Sequence, residues 1–342
     1  MYLALLFALR LTPESPNAPL KQPQIAAAGN SVALTYGIGN SVYFARSENS
    51  GSTFSKPVKV GDGGYLALGN HRGPRVAMVA GKTLVITAIT GATRGKDGDL
   101  MSWRSTDAGA TWAPGVRISG VPGAAREGLH GMAASSDGSV WVVWLDLRAG
   151  AMRLYGALSK DAGKTWAKER EIYTSPDGHI CECCHPTAFI GPKGELYAMW
   201  RNWLGGSRDM YYAVSSDGQA WDVKKLGQGT WPLNACPMDG GGLALDAQGQ
   251  VQSAWRRDGA VFLATAGSRE VELGKGKNVT LAMGKSGPYA AWQDGHSILV
   301  KKPGAAGPTP AGTGMFPVLA SSGDAVYAAW EHDGSIAVER IQ

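Results

Sequence analysis

Cysteine and charge are both scarce in this sequence. Four cysteines in 342 residues are too few for a disulfide scaffold. Charged residues make up 18%, below the usual ~25%, which disfavours a chain built from charge-faced helices. Lys and Arg number 33 against 28 Asp and Glu, a formal charge of +5. The basic residues are scattered, so nucleic acid is excluded as a partner, while the mild excess favours an anionic ligand. Long apolar runs are also missing. The stretch Tyr2 to Leu9 in "MYLALLFALR" is too short to cross a bilayer core of about 30 Å, so no transmembrane segment is expected. Residues 1–20 therefore carry two readings. One is the remnant of a secretion signal, which implies an extracytoplasmic location. The other is a strand from Tyr2 to Arg10 that closes the fold.

Glycine, at 48 residues, is about twice its usual share of ~7%, and there are twelve tryptophans, a pairing that suits short strands joined by tight turns. One strand pattern recurs seven times: "SVALTYGIG", "TLVITAIT", "SVWVVWLD", "ELYAMWRN", "QVQSAWRRD", "GPYAAWQD" and "AVYAAWEHD". Its final aromatic falls at Tyr36, Trp144, Trp200, Trp255, Trp292 and Trp330, with Ala88 in the second copy, at spacings of 52, 56, 56, 55, 37 and 38 residues. A Gly-bounded apolar segment precedes each copy and another strand-like run follows it. Repeated short antiparallel strands of this kind predict an all-β fold, a β-propeller of four-stranded blades over 21–342. Seven blades are favoured over six. The last unit stops after its third strand, which leaves an outer position that the N-terminal residues could fill.

The turn after the third strand repeats as "SENSGSTF", "STDAGATW", "SKDAGKTW" and "SSDGQAW". Asp107 and Asp161 can accept hydrogen bonds from their own turns, Gly109 and Gly163 relax the backbone, and Trp112 and Trp166 pack on the sheet. These are structural carboxylates. The octapeptide resembles the Asp-box, or BNR, repeat of the sialidase superfamily over nearly the whole chain. That resemblance implies that the Asp boxes lie opposite a site face, which is built from loops entering each first strand and loops joining second to third strands.

Residues 71–112, opening "HRGPRVAMVAG", are similar to the first blade of sialidases. The similarity implies that Arg72 binds a substrate carboxylate, as an arginine fork can. It also places Arg94 and Asp97 in the loop that carries an arginine and the acid/base aspartate, with Asp99 as a rival to Asp97. Arg126, Arg201, Arg208 and Arg256 are candidates for the remaining arginines, and Glu127 for the glutamate. The sequence departs from the family at the tyrosine nucleophile, because Tyr289 and Tyr327 open their strands on the wrong side of the blade. The implied activity is sialidase-like glycoside hydrolysis of an anionic sugar by a monomer. A noncatalytic glycan- or protein-binding propeller is the alternative within the same fold.

"HICECCHP", residues 179–186, concentrates three of the four cysteines. In the repeat frame it runs into the first strand of the fourth unit, and "NACPMDGG" into that of the fifth, so Cys236 and His185 occupy equivalent places. Three chemistries compete. Cys181-x-x-Cys184-His185 spells a haem attachment signature, the least favoured because a third cysteine interrupts it. Zinc or copper would suit Cys181, Cys183, Cys184, His185 and Cys236, with Met238 in reserve, and would make the chain a metal-binding or redox propeller. Disulfides to Cys236 are the third. Extended neighbours point to opposite sides, so Cys183 and Cys184 are expected not to share an ion unless the loop coils.

Overall fold

The computed structural model describes residues 8–342. Twenty-nine strands form seven antiparallel sheets, a seven-bladed β-propeller; six blades is ruled out. The first blade is formed by Lys21–Ala28, Ser31–Ile38, Ser41–Ser47 and Val58–Asp62, and the others repeat that order. The second blade has a fifth strand, because Tyr65–Leu66 pairs with the Thr90–Gly91 end of its second strand. Leu9–Leu11 pairs with Ser335–Arg340, Leu9 opposite Val338 and Leu11 opposite Ile336, and thereby supplies the outer strand of the seventh blade. Ring closure thus joins the two ends of the described chain. The first seven residues, which include the start of the proposed 1–20 signal remnant and most of the Tyr2–Arg10 strand, lie outside the described residues. Among the described residues no helix is long and apolar enough to cross a membrane.

The repeated aromatic sits where each blade is covered on both faces. Second strands such as Val140–Asp146 (VWVVWLD) are buried at every position, since neighbouring blades pack on either side. Third strands such as Ser41–Ser47 mix buried with partly exposed positions. Tyr36, Ala88, Trp144, Trp200, Trp255, Trp292 and Trp330 are all at most 2% exposed. Truncating one such ring to alanine costs about 3–5 kcal/mol, so these positions hold the ring of blades together.

The two faces are built differently. On one, Asp boxes turn third strands into fourth strands. Asp107 accepts from the Thr111 amide (2.9 Å), Ser105 (2.7 Å) and the Thr111 hydroxyl (2.5 Å). Gly109 has φ +89°, and a Cβ there would stand 2.1 Å from the Phe44 ring of the preceding blade. On the other face lie the long entering loops, 63–74, 118–129, 174–186 and 226–240, and the second-to-third-strand loops 92–98, 147–152 and 202–209.

Candidate functional site

Where chain segments enter the inner strands on this second face, several non-glycine residues adopt left-handed backbone: Gln22 (φ 54°), His71 (66°), Met238 (57°), Asn278 (58°) and Phe316 (53°). Such conformations cost of order 1–3 kcal/mol each and persist only where tertiary contacts demand them. Here they turn side chains over the mouth of the central channel. His71 stacks on His185 with ring centroids 4.1 Å apart, and Phe316 meets His71 edge-on. His71 Nε2 bonds Asn278 Oδ1 at 2.9 Å, and the Asn278 amide donates to Asp239 Oδ2 at 2.8 Å. Burial holds both imidazoles below their ordinary pKa, His185 well below, so the pair is neutral at pH 7 and the stack carries no like-charge repulsion. Beneath them the channel narrows to a cavity of about 130 Å³ bordered by His71, Arg75 and His185. His185 Nδ1 and Asp239 Oδ1 are buried without a hydrogen-bond partner, Asp239 Oδ1 lying 4.0 Å from His71 Nε2.

Beside the mouth the loop Ile180–Pro186 coils through a turn at Glu182–Cys184. The expected extended geometry is therefore corrected: the turn brings Cys183 and Cys184 to the same side. The sulfurs of Cys181, Cys183 and Cys184 all lie within 4.8 Å of one another. Cys181 Sγ is 3.6 Å from that of Cys183 and 3.4 Å from that of Cys184, distances far from the ~2.05 Å of a disulfide. All four cysteines are free, and Cys236 is exposed, apart from the sulfur cluster. The disulfide to Cys236 is therefore not formed. Cys181 is 1%, Cys183 5% and Cys184 1% exposed, with Met238 packed against them.

Arg208 donates through Nη1 to Cys181 Sγ at 3.0 Å. Hydrogen bonds with Cys183 and Cys184 hold the Cys181 thiol well below its ordinary pKa. Its neighbours move the other way: the bond to Cys181 raises Cys183, and burial pushes Cys184 up to about 12. The group is thus three sulfurs hydrogen-bonded to one another and facing a guanidinium.

The candidate arginines divide into two kinds. Arg201, 1% exposed, donates to the carbonyls of Asp239 (3.2 Å), Arg208 (2.9 Å) and Arg256 (2.9 Å). Its guanidinium ties three chain segments together and has no face left for substrate. Arg256 similarly donates to Pro237 and lies over Trp231. Arg72 remains accessible at 18% side-chain exposure and pairs with Glu127 at 3.5 Å, while Arg126, at 43%, approaches the other Glu127 oxygen at 3.7 Å.

Arg94 is exposed and lines a groove of about 380 Å³ with Lys21, Asn40, Tyr65 and Leu68. Gly128 packs close to Ala67 and Arg72, which a Cβ there would meet. On the other side of Pro19–Lys21 a second groove of about 360 Å³ runs past His296, Met315, Glu331 and His332.

Asp97 belongs to its own loop. Its carboxylate accepts from the amides of Ala92 (2.9 Å) and Thr93 (2.8 Å), which hold it below the usual carboxylate range. Asp99 accepts from the Gly123 amide at 3.0 Å and from Ser119. Tyr289 and Tyr327 are buried in their blades, 2% and 0% exposed. The structure therefore brings together Arg72, Arg126 and Glu127 in one place and Cys181, Cys183 and Cys184 in another. His185 borders the channel cavity, outside the sulfur group.

Sequence reasoning missed Tyr65, Asn40 and Lys21, which packing of the first blade against the second brings beside Arg94. It also missed Asp239 and Asn278 as partners of His71. The available signal for Asp239 was "PMDGG", an acid between a proline and two glycines at a strand entrance.

Residues 41–266 match the BNR repeat-like domain family. The chain belongs to that family. Comparison with curated proteins finds no match. Among solved structures this BNR-repeat propeller is similar to an α-L-arabinanase of Penicillium chrysogenum complexed with arabinobiose, at 16% identity over 98% of each chain with a TM-score of 0.57. It is similar also to an α-L-arabinofuranosidase of Fusarium graminearum, at 13% identity over 98% of each chain and a TM-score of 0.56. An ulvan lyase matches at 14% identity over 97% of this chain and 96% of its own, with a TM-score of 0.60. Likeness at these identities establishes the fold, since propellers host unrelated chemistries.

Proposed function

We propose that this BNR-repeat propeller acts on an acidic oligosaccharide laid across the site face. The observation that carries the reading is Glu127 held between Arg72 and Arg126 on the face that also carries a groove lined by Tyr65, Asn40, Lys21 and Arg94. An aromatic ring with amide and cationic donors suits a sugar face and its anionic substituent. The neighbours support a glycan ligand: the Penicillium enzyme holds arabinobiose, and an ulvan lyase is bound to a glucuronate–rhamnose sulfate unit. Within the proposal, Arg94 and Arg126 bind the anionic group and Arg72 orients Glu127, whose carboxylate faces the reacting sugar as base or nucleophile. Asp97 is assigned as a turn cap, because a carboxylate held ionised by two amides is in the wrong state to donate a proton.

The test is a panel of uronate-, sulfate- and sialate-bearing oligosaccharides, scored for binding and for release of reducing ends. The wild type is expected to bind an acidic member. Arg126→Ala or Arg94→Ala should each weaken that binding about 10- to 100-fold, the worth of a charge-assisted hydrogen bond, without lowering the Tm. Glu127→Gln should keep binding and lose turnover. A wild type that binds no acidic glycan, or arginine variants that bind as well as it does, would overturn the reading. The buried thiol group supports a separate metal-binding role.

A further inference from the structure

The geometry points to a closed binding site for a single soft monovalent metal ion, copper(I), held by Cys181, Cys183 and Cys184. This inference does not depend on the glycan proposal, because none of these residues faces the grooves.

Three observations carry it. The first is spacing. Sulfurs each about 2.3 Å from one ion stand roughly 3.8–4.0 Å apart, and here the three sulfurs lie within 4.8 Å of one another with two separations of 3.4 and 3.6 Å. The coiled turn at Glu182–Cys184 points neighbouring cysteines inward together, which an extended segment cannot do.

The second observation is the donor set. The group offers sulfur alone: three thiols at most 5% exposed, with the Met238 thioether packed on them. His185 is stacked on His71 at the channel mouth, and Cys236 is exposed and outside the group. Structural zinc sites take four ligands in a tetrahedron, whereas thiolate and thioether donors select copper(I). A buried three-sulfur site therefore fits the soft monovalent ion better than zinc. Each thiol that ligates gives up its proton.

The third observation is charge. A monovalent ion on three thiolates leaves net negative charge inside the fold, and burial of that charge requires a counter-ion. Arg208 is in place, 3.0 Å from Cys181 Sγ, with its guanidinium over the Trp203 ring. Its other bond, to the Leu233 carbonyl, anchors it to the loop that carries Met238. Nothing in the blade architecture needs this arrangement; the corresponding entering segments of the sixth and seventh blades cross in a residue or two without cysteine.

The test uses the full chain, reduced and metal-free, titrated anaerobically with copper(I) against a competing copper(I) chelator. One ion per chain is expected, with X-ray absorption showing a shell of three sulfurs. Cys184→Ser and Cys183→Ala should each weaken retention by about 100-fold or more, since even losing an outer partner of a metal ligand costs 10- to 100-fold. Cys236→Ser should retain the ion.

Several results would overturn the inference: no copper(I) held against the chelator, a nitrogen or oxygen shell, or equal retention by Cys184→Ser. So would zinc binding that depends on Cys236, or a thiol count two short that reports a disulfide between Cys181 and Cys184. Should a cysteine variant fail to fold, the X-ray absorption of the wild type decides alone, because it needs no substitution.

Discussion

The two faces of the propeller spend the same hydrogen-bonding vocabulary in opposite ways. On the Asp-box face the second and third blades are near copies. Asp161 accepts from the Thr165 amide at 2.8 Å, the Ser159 hydroxyl at 2.8 Å and the Thr165 hydroxyl at 2.6 Å, matching Asp107 to within 0.1 Å at each contact. The carboxylate of each such turn is satisfied by its own Ser and Thr inside eight residues, so it has nothing left to offer a ligand. Across the molecule the long entering loops 63–74, 118–129, 174–186 and 226–240 differ in sequence. Their polar groups bond between blades rather than within a turn, and some buried atoms, His185 Nδ1 and Asp239 Oδ1 among them, find no partner. A closed local circuit makes a repeat; an open, long-range one makes a site.

The sharpest way to break this comparison is at Arg201. Replacing it by leucine removes three donors at once and leaves the carbonyls of Asp239, Arg208 and Arg256 buried without them. The expected loss is about 3–5 kcal/mol, read as a lower Tm together with loss of copper(I), because Arg208 and Asp239 are displaced together. If Arg201→Leu unfolds like the wild type, the site face does not depend on inter-blade bonding.

A smaller effect is expected at Glu270, where a charged clamp joins the fourth and fifth blades. Its side chain is 7% exposed and accepts from Arg257 at 2.6 Å and from the amides of Gln228 (2.7 Å) and Gly229 (2.9 Å). Burial pushes its carboxyl up, but these donors outweigh burial and hold it at about 2, below the ordinary 4.5. A folded-state pKa below the unfolded one means that the stabilisation is complete above pH 4.5 and fades as pH falls toward 2. Glu270→Gln should therefore cost roughly 2–3 kcal/mol at pH 7. In urea titrations across pH, its deficit should close between 4.5 and 2; a deficit independent of pH would assign the loss to packing.

The smallest effect belongs to the other face. Asp161→Ala opens one exposed turn and should lower the Tm by no more than about 3 °C, leaving copper(I) and glycan binding untouched. The double variant with Asp107→Ala should be additive, because the two carboxylates share no partner. Coupling between them, or any change at the opposite face, would show that the Asp boxes do more than close strands.

Legibility in the sequence follows the same division. The aromatic of the second strands was readable because burial on both sides keeps an aromatic at one position in six of the seven units, and Trp144, Trp200, Trp292 and Trp330 fall where the spacing put them. The Asp boxes were readable because their partners are within four residues. Arg201 was misleading: it resembled a substrate arginine, yet its partners lie 7, 38 and 55 residues away and consume its donors. The thiol group was half legible. Its composition was plain, but extended geometry argued against Cys183 and Cys184 acting together until the turn at Glu182–Cys184 was known.

By itself the sequence determined the all-β propeller, its seven units and the structural use of the Asp-box carboxylates, because each rests on periodicity or on contacts a few residues long. Tertiary structure alone decided which arginines are free, that Leu9–Leu11 closes the ring, and that three sulfurs converge beside Arg208. Those outcomes depend on inter-blade distances and on left-handed turns at residues such as His71, Met238 and Asn278, where the surroundings, and not the side chain, select the backbone conformation.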